Sequence, residues 1–251
     1  GELEGRCAKV GSRCFDVPLS RTRRMTDPSG APRTVIVGAG FGGLACATEL
    51  GRAGVPVSII DAQNYHLFVP LLYQVATAAL SPADIARPIR RILRPYPSVD
   101  VVLGRVVYAD KAQRTVSLSD GTIADYGQLV VATGSAYSYF EQPEWGKFAP
   151  GPRTLEHARE IRAHLLKSFE LPERSTNPER QRSLMTTLIV GRGPTGVEMA
   201  GSVAELARYA LARDFRRINP RLARVILERF QVDVNRGGFP GSTFWFRILM
   251  S

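Results

Sequence analysis

Cysteine is scarce in this chain: Cys7, Cys14 and Cys46 are three among 251 residues, an odd number at unrelated spacings. They form neither a disulfide framework nor a metal-ligand set, and a reducing compartment is the default expectation. Cys46 falls in a helical stretch and reads as a small buried hydrophobe. Long apolar runs are also missing. None approaches the roughly 20 residues of a membrane-spanning helix, so membrane contact is expected to be peripheral. Acids are few, 23 against 33 Lys and Arg, which leaves a formal charge of +10. Such a charge suits nucleic acid, an anionic membrane or phosphate-bearing ligands and does not choose among them. The basic residues are spread over the N-terminal tail, 87–94, 174–182 and 208–229, with no basic stripe interleaved with aromatics. They read as solvated helix faces and loops, and no nucleic-acid partner is expected.

What is present centres on Thr34 to Asp61. A β-branched run, Thr34 to Val37, leads into Gly38-Ala-Gly40-Phe-Gly-Gly43; a helical stretch from Leu44 to Ala53 follows, and Val57 to Asp61 reads as a second strand. Gly38 allows a tight turn, Gly40 a close approach to a pyrophosphate, and Gly43 close packing of helix on sheet. Amide groups at the helix N-terminus then face phosphate. Asp61 stands where an acid accepts hydrogen bonds from a ribose hydroxyl.

Residues 1–30 lack sustained periodicity and are rich in Arg, Ser, Pro and Gly. They read as a disordered or non-native tail with Met25 as the native start; Glu2, Glu4 and Asp16 argue against a transit peptide. Removing residues 1–24 is expected to leave folding and cofactor uptake unchanged. After Asp61, Gln63 to Gln74 is too aromatic for a simple surface loop. A helix is expected from a Ser81 cap, with Pro82 at its first position, to about Leu93 before Pro95 and Pro97. Strands at Val99 to Leu103, Val106 to Ala109, Thr115 to Leu118 and Thr122 to Tyr126, the last two joined by a Ser119-Asp120-Gly121 turn, read as a small antiparallel insertion. Gln128 to Val131 is a buried parallel-type strand ending in Ala132-Thr133-Gly134. Glu156 to Glu170 is helical, and Leu171 to Ser183 reads as a loop.

The opening pattern then repeats. Thr187 to Val190 leads into Gly191-Arg-Gly193-Pro-Thr-Gly196, a helix runs from Val197 to about Leu211, Arg213 to Arg221 extends the helix and its loop, and Arg224 to Glu228 is a strand ending in an acid. Arg229 to Ser251 follows neither helix nor strand logic and is expected neither to cap a sheet nor to finish a domain. Two such turns in one chain suggest a resident flavin that accepts hydride from a visiting nicotinamide. The expected fold is α/β: two Rossmann-like dinucleotide-binding domains, 31–150 and 151–228, with the antiparallel insertion and a C-terminal truncation, leaving 229–251 as an irregular tail.

Four segments carry a resemblance: Val35 to Gly43, Asn64 to Thr77, Leu129 to Gly134 and Gly193 to Ala200. Thr34 to Glu228 resembles the N-terminal half of a type II NADH dehydrogenase, the single-chain NADH:quinone oxidoreductases among the two-dinucleotide-domain flavoproteins. The resemblance implies FAD and NADH as cofactors, a quinone as second substrate, and a cytoplasmic protein peripheral on the inner face of the cell membrane; it leaves a homodimer open. It places Gly38, Gly40, Phe41, Gly42 and Gly43 at the FAD pyrophosphate, Asp61 at the adenosine ribose, Val106 at the adenine, and Ala132, Thr133 and Gly134 beside the flavin. The loop from His66 to Leu72 borders its ring. Gly191, Gly193, Pro194, Thr195 and Gly196 hold the NADH pyrophosphate, Glu228 its ribose, and Glu198, the catalytic candidate, stands where nicotinamide and flavin stack. No side chain need be a nucleophile; the protein orients and polarises.

The sequence departs from that pattern at Arg192, a position usually small, and at Arg229, where arginine beside Glu228 sets phosphate against a free ribose hydroxyl. The family's returning Gly-Asp element, quinone-facing motif and membrane-binding end are not visible, which suggests a truncation, a frameshift or a misassembled gene. Weak FAD retention and little quinone reduction are therefore expected of this chain. The alternatives are a non-catalytic dinucleotide-binding remnant or another NAD(P)H-dependent FAD reductase. Disulfide and sulfide:quinone reductases are disfavoured because Cys46 has no partner cysteine nearby.

Overall fold

The computed structural model describes residues 8–10, 13–15, 24–25, 33–135, 146, 149–191, 193–228 and 245–248. In chain order the elements are β1 (Ala8–Val10), β2 (Arg13–Phe15), β3 (Arg24–Met25), β4 (Thr34–Val37), α1 (Phe41–Arg52), β5 (Val57–Asp61), β6 (Tyr65–Leu67), α2 (Leu72–Ala76), α3 (Pro82–Ile85), β7 (Ala86–Pro88) and α4 (Ile89–Leu93). They continue as β8 (Val99–Leu103), β9 (Val106–Asp110), β10 (Thr115–Leu118), β11 (Ile123–Asp125), β12 (Gln128–Val131), α5 (Leu155–Glu173), α6 (Pro178–Leu184), β13 (Thr186–Val190), α7 (Pro194–Glu205), β14 (Arg224–Glu228) and β15 (Trp245–Ile248). The chain divides into two units, Gly1–Leu67 with Ala86–Ser135, and Phe68–Ile85 with Ala136–Ser251. Among the described residues no helix is long and apolar enough to cross a membrane.

The first unit is built on a parallel sheet in the order β12-β4-β5-β8. Its strands alternate between two apolar layers, as the period of a strand requires. Ile36, Val57 and Ile59 face α1 and α4 and pack with Ala39, Leu44, Ala47, Ile89 and Leu93. Val35 and Ile60 face the other way, onto Val116, Leu118 and Ala124 of the antiparallel sheet. Ile36, Val57 and Ile59 are fully buried, and each such side chain contributes about 2 kcal/mol over leaving it in water. Cys46 is half-buried against the α1 layer. α1 ends where Gly54, at φ +69°, donates to the Gly51 carbonyl at 3.1 Å, the left-handed stop that glycine supplies.

Several expectations are corrected in this unit. Val99–Leu103 is a strand, but it pairs parallel with β5 in the main sheet, so the antiparallel layer comprises β9, β10 and β11, joined by β3. Arg24 and Met25 are therefore not foreign to the domain: β3 pairs parallel with β11, Arg24 bonds Asp125 at 3.0 Å, and Met25 packs on the Val35 and Ile60 layer. The helix from Ser81 to Leu93 is interrupted by β7, which pairs antiparallel with β6. Pro88 explains the break, since proline disfavours a helical residue before it and removes a helical donor. The start of α3, which belongs to the second unit, is as expected, a capping box in which Ser81 Oγ accepts the Ala83 N–H at 3.4 Å and Asp84 accepts the Ser81 N–H at 2.8 Å. The turn at Gly121, φ +83°, is also as expected.

In the second unit β13 pairs parallel with β14 and antiparallel with β15. Residues 245–248 thus do extend a sheet, contrary to the expectation for the C-terminal stretch, with Trp, Phe and Ile supplying strand-forming residues. α5 runs on to Glu173 with Pro172 in its last turn, and part of the expected loop is α6. Asn177 is the signal for it: its side chain accepts the N–H groups of Glu179 and Arg180 at 2.9 and 3.1 Å, and Pro178 takes the first helical position. α7 continues as a π turn, Leu206–Ala210, and the stretch after it is turns ending in a 3-10 turn at Pro220–Leu222 rather than more helix. The core gathers Leu165, Phe169, Met185, Val203, Ala207 and Ile218.

Glu173 fastens the long connection after α7. Its carboxylate accepts from Arg216 N–H at 3.1 Å, from Arg217 N–H at 3.1 and 2.9 Å, and from Ile218 N–H at 3.0 Å. Partial burial pushes this carboxyl up, but the Arg217, Arg216 and Ile218 amides and the Arg217 charge outweigh it and hold it below the usual carboxylate range. A lowered folded-state value means stability that is present above the unfolded value, about 4.3, and lost as pH falls through the folded one. The midpoint of urea unfolding should therefore fall on acidification below about pH 4.5 more steeply in the wild type than in Glu173→Gln. Parallel pH profiles for the two proteins would contradict the pinning role.

Candidate functional site

Both glycine turns form at the C-terminal edge of a parallel pair, where α/β sheets place their ligands. Gly38 ends β4 at φ +101°, a region that suits glycine, and its N–H donates to the Ile60 carbonyl at 2.8 Å. A Cβ on Gly38 would stand 2.3 Å from the Ala132 carbonyl oxygen, because the segment after β12 crosses directly over the turn. One on Gly43 would stand 1.8 Å from the Gly38 carbonyl oxygen. At Gly40 and Gly42 a Cβ would meet, among the described residues and beyond its own chain neighbours and helix, nothing within 4 Å. The protein thus requires glycine at 38 and 43, whereas 40 and 42 border open space. α1 begins at Gly40 with no side-chain cap and no acid in its first turn, which leaves the positive end of its dipole uncompensated by a carboxylate of its own.

Asp61 closes the turn from the side. One carboxylate oxygen accepts the Ala39 N–H at 2.6 Å and the other the Gln63 N–H at 2.7 Å. Each oxygen keeps a further lone pair for another donor. Gly104 donates to the Asp61 backbone carbonyl at 2.8 Å, and Val106 lies two residues beyond, half-buried at the start of β9. The structure therefore brings Gly38, Gly40, Phe41, Gly42, Gly43 and Asp61 to one edge, with Ala132 and Thr133 across Gly38; Gly134, at φ +70°, follows them.

Ala39 is held on its other side by His66. The His66 Nδ1 lies 3.0 Å from the Ala39 carbonyl oxygen, and the ring meets Phe41 edge-on at 5.1 Å. A carbonyl only accepts, so Nδ1 carries a proton and donates it to this bond. His66 thus lies on β6, not in a loop, and is hydrogen-bonded to the backbone of the Gly38 turn. The clamp on Ala39 is what sequence reasoning missed, since both of its contacts are to backbone atoms that no side-chain pattern marks.

The second turn repeats the first. Gly191 has φ +118° and donates to the Glu228 carbonyl at 2.9 Å. A Cβ on Gly196 would stand 1.9 Å from the Gly191 carbonyl oxygen. α7 starts at Gly193 with Pro194 in its first turn, no side-chain cap and no acid there. Thr195 and Glu198 follow, Glu198 exposed, and Glu228 is exposed at the end of β14. Arg192 and Arg229 lie outside the described residues. Among the described residues no group of His, Cys, Asp and Glu could hold a metal ion.

Residues 32–232 match the sequence profile of the pyridine nucleotide-disulphide oxidoreductases. The chain is 46% identical over 198 residues to the type II NADH:quinone oxidoreductase Ndh of Mycobacterium tuberculosis, covering 78% of this chain and 43% of that protein. It is 45% identical over 213 residues to NdhA of the same organism, covering 81% and 45%. The chain thus spans less than half the length of these curated relatives. A solved structure of NDH2 from Plasmodium falciparum in complex with NADH matches at a TM-score of 0.70 and 20% identity, over 78% of this chain and 41% of that one. This is a likeness of fold.

The glycine geometry separates two kinds of position. Gly43→Ala and Gly196→Ala force a methyl group into a backbone carbonyl and should each cost about 4 kcal/mol or more of unit stability in chemical denaturation. Gly42→Ala meets nothing and should leave the unfolding midpoint within about 0.5 kcal/mol of wild type. Equal losses at Gly42 and Gly43 would contradict this division.

Proposed function

Because the chain belongs to the pyridine nucleotide-disulphide oxidoreductase family, we propose that it is the dinucleotide-binding part of an NADH:quinone oxidoreductase, with FAD at the Gly38 turn and NADH at the Gly191 turn. The observation that carries this reading is the duplicated turn: two positive-φ glycines, each under a helix whose own glycine touches its carbonyl. A dinucleotide fits the residues present. Open space at Gly40 and Gly42 admits a pyrophosphate against backbone amides, and α1 and α7 begin without an acid that would repel it. In the first turn Gly38, Gly40, Phe41, Gly42 and Gly43 would hold the FAD pyrophosphate and Asp61 the adenosine ribose. Val106 would meet the adenine, and Ala132, Thr133 and Gly134 would border the flavin. In the second turn Gly191, Gly193, Pro194, Thr195 and Gly196 would hold the NADH pyrophosphate, with Glu198 toward the nicotinamide.

Bound FAD supplies a two-electron acceptor for the NADH hydride and a donor to the quinone. The chain's own residues bind and orient. His66 holds the Ala39 carbonyl, and because that carbonyl shares its peptide plane with the Gly40 N–H, the bond also fixes the direction in which Gly40 donates. A hydrogen bond to the carbonyl polarises the peptide and strengthens its N–H as a donor. The names of the Mycobacterium tuberculosis relatives support the quinone as second substrate; a peripheral place on the inner face of the cell membrane is part of the same proposal.

The test is to supply the purified chain with FAD and add NADH without oxygen. Loss of the visible flavin absorption is expected; bound flavin that stays oxidised would reduce the protein to a binding module. Within the same reading, His66→Phe keeps a ring against Phe41 but removes the donor. It should weaken FAD binding about fivefold, the worth of one hydrogen bond of about 1 kcal/mol, and an unchanged FAD affinity would contradict the orienting role.

A further inference from the structure

The two turns correspond strand position by strand position, and the correspondence moves Glu228. Val37 and Val190 each precede the positive-φ glycine of their turn. Val37 is paired with Ile60, and Val190 with Glu228. In both turns the glycine N–H donates to the carbonyl of that paired residue, Gly38 to Ile60 and Gly191 to Glu228. Glu228 therefore occupies the place of Ile60. It stands one residue short of the place that Asp61 occupies in the first turn.

One residue along a strand is a change of face. In β5, Ile59 faces α1, Ile60 faces the antiparallel layer, and Asp61 returns to the α1 side, where it accepts the Ala39 N–H. In β14, Leu227 takes the role of Ile59: its Cδ1 lies 3.6 Å from where a Cβ on Gly196 of α7 would be. Glu228 thus faces away from the turn that α7 begins, and it is exposed. An acid at the strand end has two effects on an adenosine ribose: it accepts from the free hydroxyls, and it repels a phosphate carried at the 2′ position. Both effects require the Asp61 face, and among the described residues β14 brings no carboxylate there.

We propose that Glu228 does not bind the ribose and that the second turn accepts the 2′-phosphorylated nicotinamide dinucleotide as well as NADH. This rests on the reading of the Gly191 turn as a nicotinamide dinucleotide site. The chain's formal charge of +10 adds a long-range attraction for the extra phosphate. Where Asp61 makes the first turn selective for an unphosphorylated ribose, the second has no such gate on its strand.

The experiment is to titrate the full chain with NADH and with NADPH, following the fluorescence of the reduced nicotinamide, in the wild type and in Glu228→Gln. Glu228 is exposed, so the substitution does not threaten folding. NADPH is expected to bind no more than about threefold more weakly than NADH, and Glu228→Gln is expected to shift neither dissociation constant by more than about twofold. A larger preference for NADH in the wild type, or a larger shift in Glu228→Gln, would overturn the proposal. Binding of neither nucleotide would instead remove the assignment of the Gly191 turn itself.

Discussion

Backbone packed against backbone is the constraint on which both units depend. Where Gly43 passes Gly38, and where Gly196 passes Gly191, a Cβ would lie 1.8 and 1.9 Å from a carbonyl oxygen. Helix and strand end approach this closely only because neither carries a side chain at the crossing. The approach brings the helix N-terminus over the end of the sheet, where its amide groups and dipole favour an anion. The apolar layers hold each helix there: Ile36 and Ile59 lie beneath α1, and Leu165, Phe169 and Met185 pack against Val203 of α7 and Ala207 of the turn that continues it.

The two turns share this crossing and differ in what surrounds it. At the first, Asp61 and His66 hold the two peptide groups that flank Ala39, one by its N–H and the other by its carbonyl. A loop held at both ends pays less ordering entropy when a ligand arrives, which suits a cofactor that stays. At the second, Glu228 contributes its backbone carbonyl to Gly191 and directs its side chain to the other face of β14. In the proposed reading, that looser turn is the one that takes the diffusible nucleotide.

Much of this was legible in the sequence because it rests on local signals. The strand, glycine and helix order at Thr34 to Arg52 and at Thr186 to Glu205 is written in β-branched runs and glycine spacing, and the structure keeps both. Pairing is where local reading ran out. Val99–Leu103 was recognisable as a strand, but its partner β5 lies far along the chain, and nothing in its own residues distinguishes that edge from the antiparallel layer. β7 was concealed by helix-forming neighbours until Pro88 and the β6 pairing decided the matter. Asn177-Pro178 was a readable cap passed over in a charged stretch. The face of Glu228 was not readable, because the turns between Leu211 and Ala223 prevent counting from Gly196 to the strand end, and only the β13 register fixes it.

The central claim is that each glycine turn grips its own dinucleotide, and amide hydrogen exchange tests it most directly. FAD should slow exchange in peptides spanning 38–44 and leave those spanning 191–197 unchanged, while NADH should do the reverse. Protection of the same segment by both ligands, or of neither segment by either, would contradict the account.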